Sequence, residues 1–315
     1  MVFTTIDQSL VPSALTAIQN LPNILYNGGL EVHQNTNSNA NNNYVNGDYF
    51  VDGWKFNKNS NRQMNGGYET TASNVYEGTA SLKADSLSGN TTADYIFQSV
   101  ENFARYANKT LTFSVAVKTN TASAVRAFIS FSGPGASTLT GSFHTGGNTF
   151  EILTVSGTMG SAPGSISIGI QVNGQCTTYM DAAICVVGSS VPTFLPEDPE
   201  VELARCQRYY EKTYVQGTVP GTVTATNNEW FYGSAFGATS TRFTGHFKVE
   251  KRIAPTMSFF GTNGTSNQYS FRSSTDVNTN RTIALNDNNT RDFQFIQTTG
   301  TEITCFGHWV ADARI

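Results

Sequence analysis

Residues 194–214 read FLPEDPEVELARCQRYYEKTY, and this is the one stretch of the chain whose pattern predicts a convincing α-helix. Asp198 can cap a helix that has Pro199 at its first position, where a missing N–H costs nothing. Glu200 and Glu202 then lie in the first turn, where the helix dipole favours negative charge. We therefore expect a single helix in an otherwise β-rich chain.

The same stretch predicts how the helix packs. Leu203, Cys206 and Tyr210 are spaced i, i+3 and i+7, so their side chains would share one apolar face. Arg205 and Glu211 fall outside that face and are expected to point into solvent. We expect the apolar stripe to dock on a neighbouring sheet or to line a threefold interface between copies of the chain.

On both sides of the helix, apolar residues alternate with polar ones at a period of two, which is the pattern of half-buried strands. Turn signals such as Asn173-Gly174 separate these strands, and no further helix is predicted between them. The pattern indicates an all-β fold with an antiparallel jelly-roll sandwich before the helix and a second, smaller sandwich after it. The clearest alternations are Leu111, Phe113, Val115, Val117; Ile166, Ile168, Ile170, Val172; and Phe243, Gly245, Phe247, Val249.

Four segments are predicted along the 315 residues. Residues 1–24 form an N-terminal attachment arm, because their scattered apolar side chains have no core of their own to join. Residues 25–195 form the jelly roll, which includes an exposed Asn-rich loop at 35–46. Residues 196–214 are the connecting helix, and residues 215–315 are the C-terminal sandwich.

Composition excludes some partners. Charged residues make up only 13% of the chain and the net charge is −4, whereas a nucleic-acid partner would need clustered Lys and Arg. No apolar run approaches the roughly 18 residues of a membrane helix, so membrane insertion is not expected.

The cysteines lack the spacing of a metal-binding site; they are Cys176, Cys185, Cys206 and Cys305. We expect buried free thiols, with a Cys176–Cys185 bridge between neighbouring strands as the alternative.

Several motifs occur in an order that resembles tailed-bacteriophage virion proteins of the tail-fibre and head-fibre type. The resemblance covers about residues 23–256 and is most specific where the CQRYY helix end follows a β-rich domain. The motifs are NILYNGGLEVHQ at 23–34, DGW at 52–54, FQSVE at 97–101, KTLTFS at 109–114, LARCQRYY at 203–210 and KVEKRIAPT at 248–256.

This resemblance implies a non-enzymatic structural protein of the virion, made in the host cytoplasm. Such a fibre or adhesin would be a homotrimer, would bind other virion proteins through its N-terminal arm and would project β-domains that bind host-surface glycans. One alternative is a capsid decoration or cement protein that clamps shell subunits. Another is a polysaccharide-degrading enzyme or its binding module.

The first domain also resembles a carbohydrate-binding jelly roll, and that resemblance implies a structural calcium ion. The matching positions are Glu31, in an early Asn-Gly-x-x-Glu pattern, and Asp181, in the closing strand. Carbonyl groups near Gly29 and the Glu77-Gly78 turn would complete a set of hard oxygen ligands. Both carboxylates can equally be ordinary strand-end residues.

Sugar binding requires aromatic rings near amide or carboxylate groups. We expect such a site at Tyr44 and Tyr49 beside the Asn-rich loop, or at Trp230 and Tyr232 in the C-terminal domain. No catalytic residue is predicted, because the sequence shows no GxSxG, HExxH or P-loop motif. The carboxylates that a glycan-degrading site could use are Asp48, Asp52 and Glu101.

Overall fold

The computed structural model describes residues 22–34, 46–57, 64–87, 93–190, 193–224, 230–235, 240–273, 277–283, 285–298 and 302–315. Residues 1–21 of the predicted arm and most of the Asn-rich loop, including Tyr44, lie outside the described residues. The described chain is nearly all β-structure, as the alternation predicted. The predicted domain boundaries stay predictions, although separate sheets do lie on either side of the helix.

The first domain is an antiparallel β-sandwich. Its six-stranded sheet has the order β1-β2-β5-β10-β7-β8, and its five-stranded sheet has the order β3-β4-β11-β6-β9. The predicted all-β jelly-roll class is confirmed. The strands are β1 Tyr49–Val51, β2 Trp54–Asn57, β3 Met64–Glu69, β4 Ser81–Ser86, β5 Asp94–Ser99, β6 Thr110–Thr119, β7 Val125–Ser132, β8 Ser137–Phe143, β9 Phe150–Thr158, β10 Ser165–Val172 and β11 Cys176–Val187. Two short 3-10 helices, Ala72–Asn74 and Phe103–Tyr106, lie between strands.

The core of this sandwich follows from the alternation of its strands. In β6, Leu111, Phe113, Val115 and Val117 are wholly buried and face the second sheet. Successive side chains of a strand point to opposite faces, so the residues between them point away from that core. This second set of residues forms the outer face of the five-stranded sheet.

The C-terminal domain is a second, smaller β-structure built around one long strand. β20 pairs with β12 and β15 along its C-terminal half and with β13 and β16 along its N-terminal half. Strand β15, on the C-terminal half, packs through aromatic rings against β19, which is linked to the N-terminal half through β14 and β13; the Phe259 and Phe293 ring centroids lie 5.7 Å apart. The strands are β12 Tyr210–Lys212, β13 Phe231–Ala235, β14 Ser240–His246, β15 Thr256–Phe260, β16 Gln268–Ser273, β17 Val277–Thr282, β18 Leu285–Asn288, β19 Asp292–Thr298 and β20 Glu302–Asp312.

The helix α1, Pro199–Gln207, starts where the sequence predicted. The Asp198 carboxylate accepts hydrogen bonds from the backbone N–H groups of Glu200, at 2.9 Å, and Val201, at 3.4 Å. Leu203 and Cys206 dock within their own chain, on Tyr26 and Val32 of the first domain. Both contacts lie in the segment before strand β1, and the expected docking on a sheet stays a prediction.

The prediction that Tyr210 belongs to the same helical stripe is wrong. The helix ends at Gln207, and Tyr210 opens strand β12, where it pairs with Asp312. Because β20 offers a row of backbone partners there, the chain leaves the helix to pair with it. Tyr209 completes the stripe instead and stacks on Tyr26 with ring centroids 4.3 Å apart.

The two side chains that we expected in solvent are engaged. Glu211 is wholly buried, and its carboxylate lies 2.5 Å from the ammonium group of Lys251. The Arg205 guanidinium donates to the carbonyls of Leu25, at 2.7 Å, and Asn23, at 3.2 Å. The prediction for Glu211 was wrong because it continued the helical spacing to a residue that lies in a strand.

The end of the helix joins the two sandwiches. Arg208 donates to both oxygens of Glu101, at 3.0 and 2.7 Å, and the Tyr209 hydroxyl donates to Glu101 at 2.7 Å. On the other side, the Arg252 N–H donates to the Arg208 carbonyl at 3.1 Å. The CQRYY and KVEKR motifs therefore meet at one joint.

The four cysteines are buried free thiols, as expected. The alternative bridge between Cys176 and Cys185 is wrong, because both residues lie on strand β11. Nine residues of strand span about 30 Å, far beyond the reach of a disulfide.

Candidate functional site

A row of side chains crosses the outer face of the five-stranded sheet in register. Cα pairing aligns Lys83 of β4 with Tyr179 of β11, Tyr179 with Lys118 of β6, and Lys118 with Phe150 of β9. Neighbouring strands lie about 4.8 Å apart, so these groups are close neighbours across the sheet. The row alternates cations and aromatic rings.

An open cleft of about 630 Å³ lies on one side of this row. Its polar groups can both donate and accept hydrogen bonds, because its lining includes several side-chain amides. Its aromatic group is the half-exposed Tyr179 ring. The main lining side chains are Asn65, Lys83, Asp85, Asn120, Gln175 and Tyr179.

The charges in the cleft are paired. The Lys83 ammonium lies 2.9 Å from the Asp85 carboxylate. Burial is the largest single influence and lowers the pKa of Lys83, but the hydrogen bond to Asp85 and its negative charge, together with smaller contributions from Tyr179 and Glu69, leave the pKa above its ordinary value. Burial raises the pKa of Tyr179, so its hydroxyl stays protonated at neutral pH. The cleft therefore presents polar groups without a strong field of either sign.

The segment from Ala72 to Thr79 covers the outer face on the other side of the row. The Asn74 carbonyl accepts a hydrogen bond from the Ser81 hydroxyl at 2.7 Å. The Asp181 carboxylate accepts from the N–H groups of Tyr76, at 2.8 Å, and Glu77, at 3.0 Å. The segment is thus held to the sheet at several points and stands as a fixed wall beside Tyr179.

The two predicted calcium ligands come together beneath this segment. Glu31 accepts from the backbone N–H and the hydroxyl of Thr79, at 2.7 and 2.9 Å, and its carboxylate packs on Gly78. Asp181 is fully buried. Burial raises the pKa of Asp181 to about 7, although the hydrogen bonds from three backbone N–H groups lower it. The negative charge of Glu31 adds to the rise.

These two carboxylates are the hard oxygen ligands that calcium prefers. Among the described residues, no group of three or more His, Cys, Asp or Glu side chains could hold a metal ion. A calcium ion bound by Glu31 and Asp181 would therefore take its remaining ligands from carbonyl groups and water. The calcium ion would also compete with the backbone N–H groups that now donate hydrogen bonds to the Asp181 carboxylate. The calcium site stays a prediction.

The predicted glycan-binding residues are not gathered in one place. Trp230 and Tyr232 lie together in the C-terminal domain, with ring centroids 6.4 Å apart, and Tyr232 is 55% exposed. Tyr49 instead bridges the two domains, because its hydroxyl donates to the Ile315 carbonyl at 2.7 Å and its ring lies under Arg314. Tyr44 lies outside the described residues.

The carboxylates that a glycan-degrading site could use have structural partners. Asp52 is buried and accepts from the backbone N–H of Gln34 at 2.6 Å. Burial raises the pKa of Asp52 to about 6. Glu101 is held by Arg208 and Tyr209 in the joint between the domains. Asp48 immediately precedes strand β1.

The sequence analysis did not identify the cleft residues as a site. Lys83 and Asp85 are alternate residues of β4, and Tyr179 lies in the closing strand, where Asp181 was the only predicted site residue. The signal that could have found them is the set of polar and aromatic residues at outward positions of neighbouring strands. Reading that signal requires the strand pairing, which the sequence did not provide.

No protein-family model matches the chain, and no curated protein matches it. Among solved structures, the C-terminal family 22 carbohydrate-binding module of a Clostridium thermocellum protein is 16% identical, with a TM-score of 0.35, covering 51% of this chain and 99% of that one. A family 61 module solved with β-1,4-galactotriose is 14% identical, with a TM-score of 0.34, covering 53% and 99%.

A third solved structure, the enzymatically active domain of bacteriophage CBA120 tailspike protein 4, is 13% identical, with a TM-score of 0.33. The match covers 47% of this chain and 22% of that one. A function has to be argued from this chain's own residues. Within the described ranges, no helix is long and apolar enough to cross a membrane.

Proposed function

We propose that this chain binds glycans in the cleft beside Tyr179. The observation that carries the proposal is one aromatic ring set among amide and paired charged groups on the outer face of a rigid sheet. A tyrosine ring can stack on the apolar C–H face of a pyranose. The amides of Asn65, Asn120 and Gln175 can bind sugar hydroxyls, which are both donors and acceptors.

The size and stiffness of the cleft suit such a ligand. Its volume of about 630 Å³ falls within the usual range for small-ligand sites, roughly 300–1,000 Å³. Its floor consists of the strands β4 and β11, which carry Lys83, Asp85 and Tyr179. Little conformational freedom is therefore lost when a ligand binds.

The proposal is tested by measuring binding of a panel of soluble oligosaccharides and host-surface polysaccharides to the wild-type chain and to single variants. Tyr179→Ala should lose at least 10-fold in affinity, because the stacking surface is gone. Tyr232→Ala is the matched control, since it removes an exposed tyrosine from the C-terminal domain. If Tyr232→Ala loses binding and Tyr179→Ala does not, the cleft is the wrong site.

We further propose, on the sequence resemblance, that the chain serves as a non-enzymatic fibre or adhesin of a bacteriophage virion and assembles as a homotrimer. Its partners would be other virion proteins at the N-terminal arm and host glycans at the cleft. Light scattering on the full chain and on a chain starting at Asn23 checks the assembly. A trimer in both supports the fibre, whereas a monomer in both favours a capsid decoration protein.

The enzymatic alternative makes a different prediction. A polysaccharide-degrading enzyme would release reducing ends from a polysaccharide that the cleft binds. We expect no release above that of a heat-denatured sample. Release by the wild-type chain that stops in Glu101→Gln or Asp52→Asn, in samples that still fold, would overturn the non-enzymatic proposal.

A further inference from the structure

The outer face of the six-stranded sheet, on the opposite side of the sandwich from the Tyr179 cleft, carries a second row of polar and aromatic side chains. Cα pairing aligns Tyr95 of β5 with Gln171 of β10, and Gln171 with Arg126 of β7. Arg126 in turn pairs with Phe143 of β8, which completes the row. In β7 and β10 the residues on either side of the row belong to the hydrophobic core, so the row points away from that core.

The Arg126 side chain is held by its neighbours on both sides. Its Nε–H donates to the Gln171 side-chain oxygen at 2.7 Å, and its guanidinium carbon lies 4.6 Å from the centroid of the Phe143 ring. Gln171 is itself buried, and its NH₂ group donates to the Asn173 side-chain oxygen at 3.3 Å. The guanidinium is therefore oriented before a ligand arrives, and little side-chain freedom is lost on binding.

These contacts use one of the five N–H donors that a guanidinium carries. Among the described residues, none accepts a hydrogen bond from the terminal nitrogens of Arg126, and no carboxylate forms an ion pair with it. The side chain is half-buried, so its charge is partly removed from water without a counter-ion. The unused donors form a planar fork that matches the two oxygens of a carboxylate.

The rest of this face adds positive charge and no negative charge. Of the outward residues of β2, β5, β7, β8 and β10, all of which the structure describes, none is acidic. Lys55 of β2 is the second cation there, and its ammonium group donates to the Ile315 main-chain oxygen at 3.2 Å. The cleft on the other face differs, because its charges are paired. The six-stranded sheet therefore presents a locally positive face on a chain whose net charge is −4.

The far end of the row offers a stacking surface. The half-buried Tyr95 ring meets the Phe128 ring edge to face, with centroids 5.0 Å apart, and this contact fixes its orientation. Tyr95 and Arg126 are two strand spacings apart, roughly 10 Å. A ring that stacks on a pyranose and, at this separation, a fork that pairs with a carboxylate suit an acidic oligosaccharide better than a small free anion.

We propose that the outer face of the six-stranded sheet is a second glycan site, which selects glycans that contain uronic acids. Arg126 binds the carboxylate of one unit, and Tyr95 stacks on another unit of the same chain. The site is separate from the Tyr179 cleft and does not depend on it. A nucleic acid is not the ligand, because its phosphates call for many more cations than Arg126 and Lys55.

The test is calorimetry on the full chain with short oligomers of galacturonic, mannuronic and glucuronic acid, each compared with its carboxyl-reduced neutral form. For at least one of these acids, the wild-type chain should bind the acid form about 10-fold or more tightly than the neutral form, because charge-assisted hydrogen bonds are the strong ones. Arg126→Gln should abolish this preference. Arg291→Gln is the matched control, because it removes the same charge from a 76% exposed side chain of the C-terminal domain.

Several outcomes would overturn the inference. A wild-type chain that prefers none of the acid forms would do so, as would a preference that survives Arg126→Gln. An equal loss in Arg291→Gln would show general attraction by charge instead of a site. A preference lost in Tyr179→Ala but kept in Arg126→Gln would assign acidic glycans to the cleft.

A second variant covers a failure of Arg126→Gln to fold. Arg126→Lys keeps the charge but lacks the planar fork, so the preference for the acid form should fall about 5-fold or more. An unchanged preference in Arg126→Lys refutes the inference. Binding of neutral glycans is scored separately with Tyr179→Ala, so the cleft and the second site can each fail alone.

Discussion

Replacing Lys251 by alanine should destabilise the C-terminal domain more than any surface change. The Lys251 ammonium is buried and donates to the Glu211 carboxylate at 2.5 Å, to the Gln207 carbonyl at 2.5 Å and to the Val249 carbonyl at 2.8 Å. Removing one partner of a buried pair leaves the other charge uncompensated and costs about 3–5 kcal/mol. Glu211 would keep the hydrogen bond from the Lys248 backbone N–H, at 3.0 Å, but would lose its charged partner.

The expected loss of unfolding free energy can be converted into a shift of the urea midpoint. With a urea m-value of about 2 kcal/mol per molar for a domain of this size, a loss of about 4 kcal/mol lowers the midpoint by about 2 M. Urea unfolding monitored by tryptophan fluorescence measures this shift of the midpoint. Trp309 packs in the core of the C-terminal domain, and Trp54 packs in the core of the first domain. The two domains need not unfold together, so each transition is fitted separately.

Two further variants sharpen the result. Lys248→Ala is the control, because the Lys248 side chain is exposed and only its backbone reaches Glu211. The double change Lys251→Met with Glu211→Leu should recover most of the stability, since replacing a whole buried pair by apolar groups is often neutral. A midpoint shift in Lys251→Ala no larger than in Lys248→Ala would refute the reasoning.

The remaining predictions concern other contacts. Burial raises the pKa of Asp52 from 3.8 to about 6. Protonated Asp52 therefore contributes stability that is fully present below pH 4 and is lost as the pH rises through 6. Asp52→Asn should remove about 3 kcal/mol of that pH dependence, measured as unfolding free energy between pH 4 and 7; an unchanged slope would contradict the assignment. Millimolar calcium should raise the melting temperature of wild type but not of Asp181→Asn, and equal shifts in both would exclude the predicted site. Glu101→Gln should increase proteolysis between the domains, because it weakens the charged bonds to Arg208; cleavage at the wild-type rate would show that the joint does not depend on them.

The strands and the start of the helix could be predicted because their causes are local. Alternation at a period of two fixes which side of β6 faces the core, and Asp198 caps a helix through N–H groups only two and three residues away. The end of the helix was missed because its cause is distant. Tyr210 leaves the helix to pair with Asp312, about a hundred residues further along.

The sequence by itself determined that this chain is all-β with one docking helix, because strand alternation and helix capping are written within a few consecutive residues. Only the tertiary structure decided where a ligand could bind. Lys83, Lys118 and Tyr179 come from three strands, and only antiparallel pairing in one register places them in a row. A shift of one residue would turn Tyr179 into the core, so the cleft depends on non-local pairing that no short stretch of sequence contains.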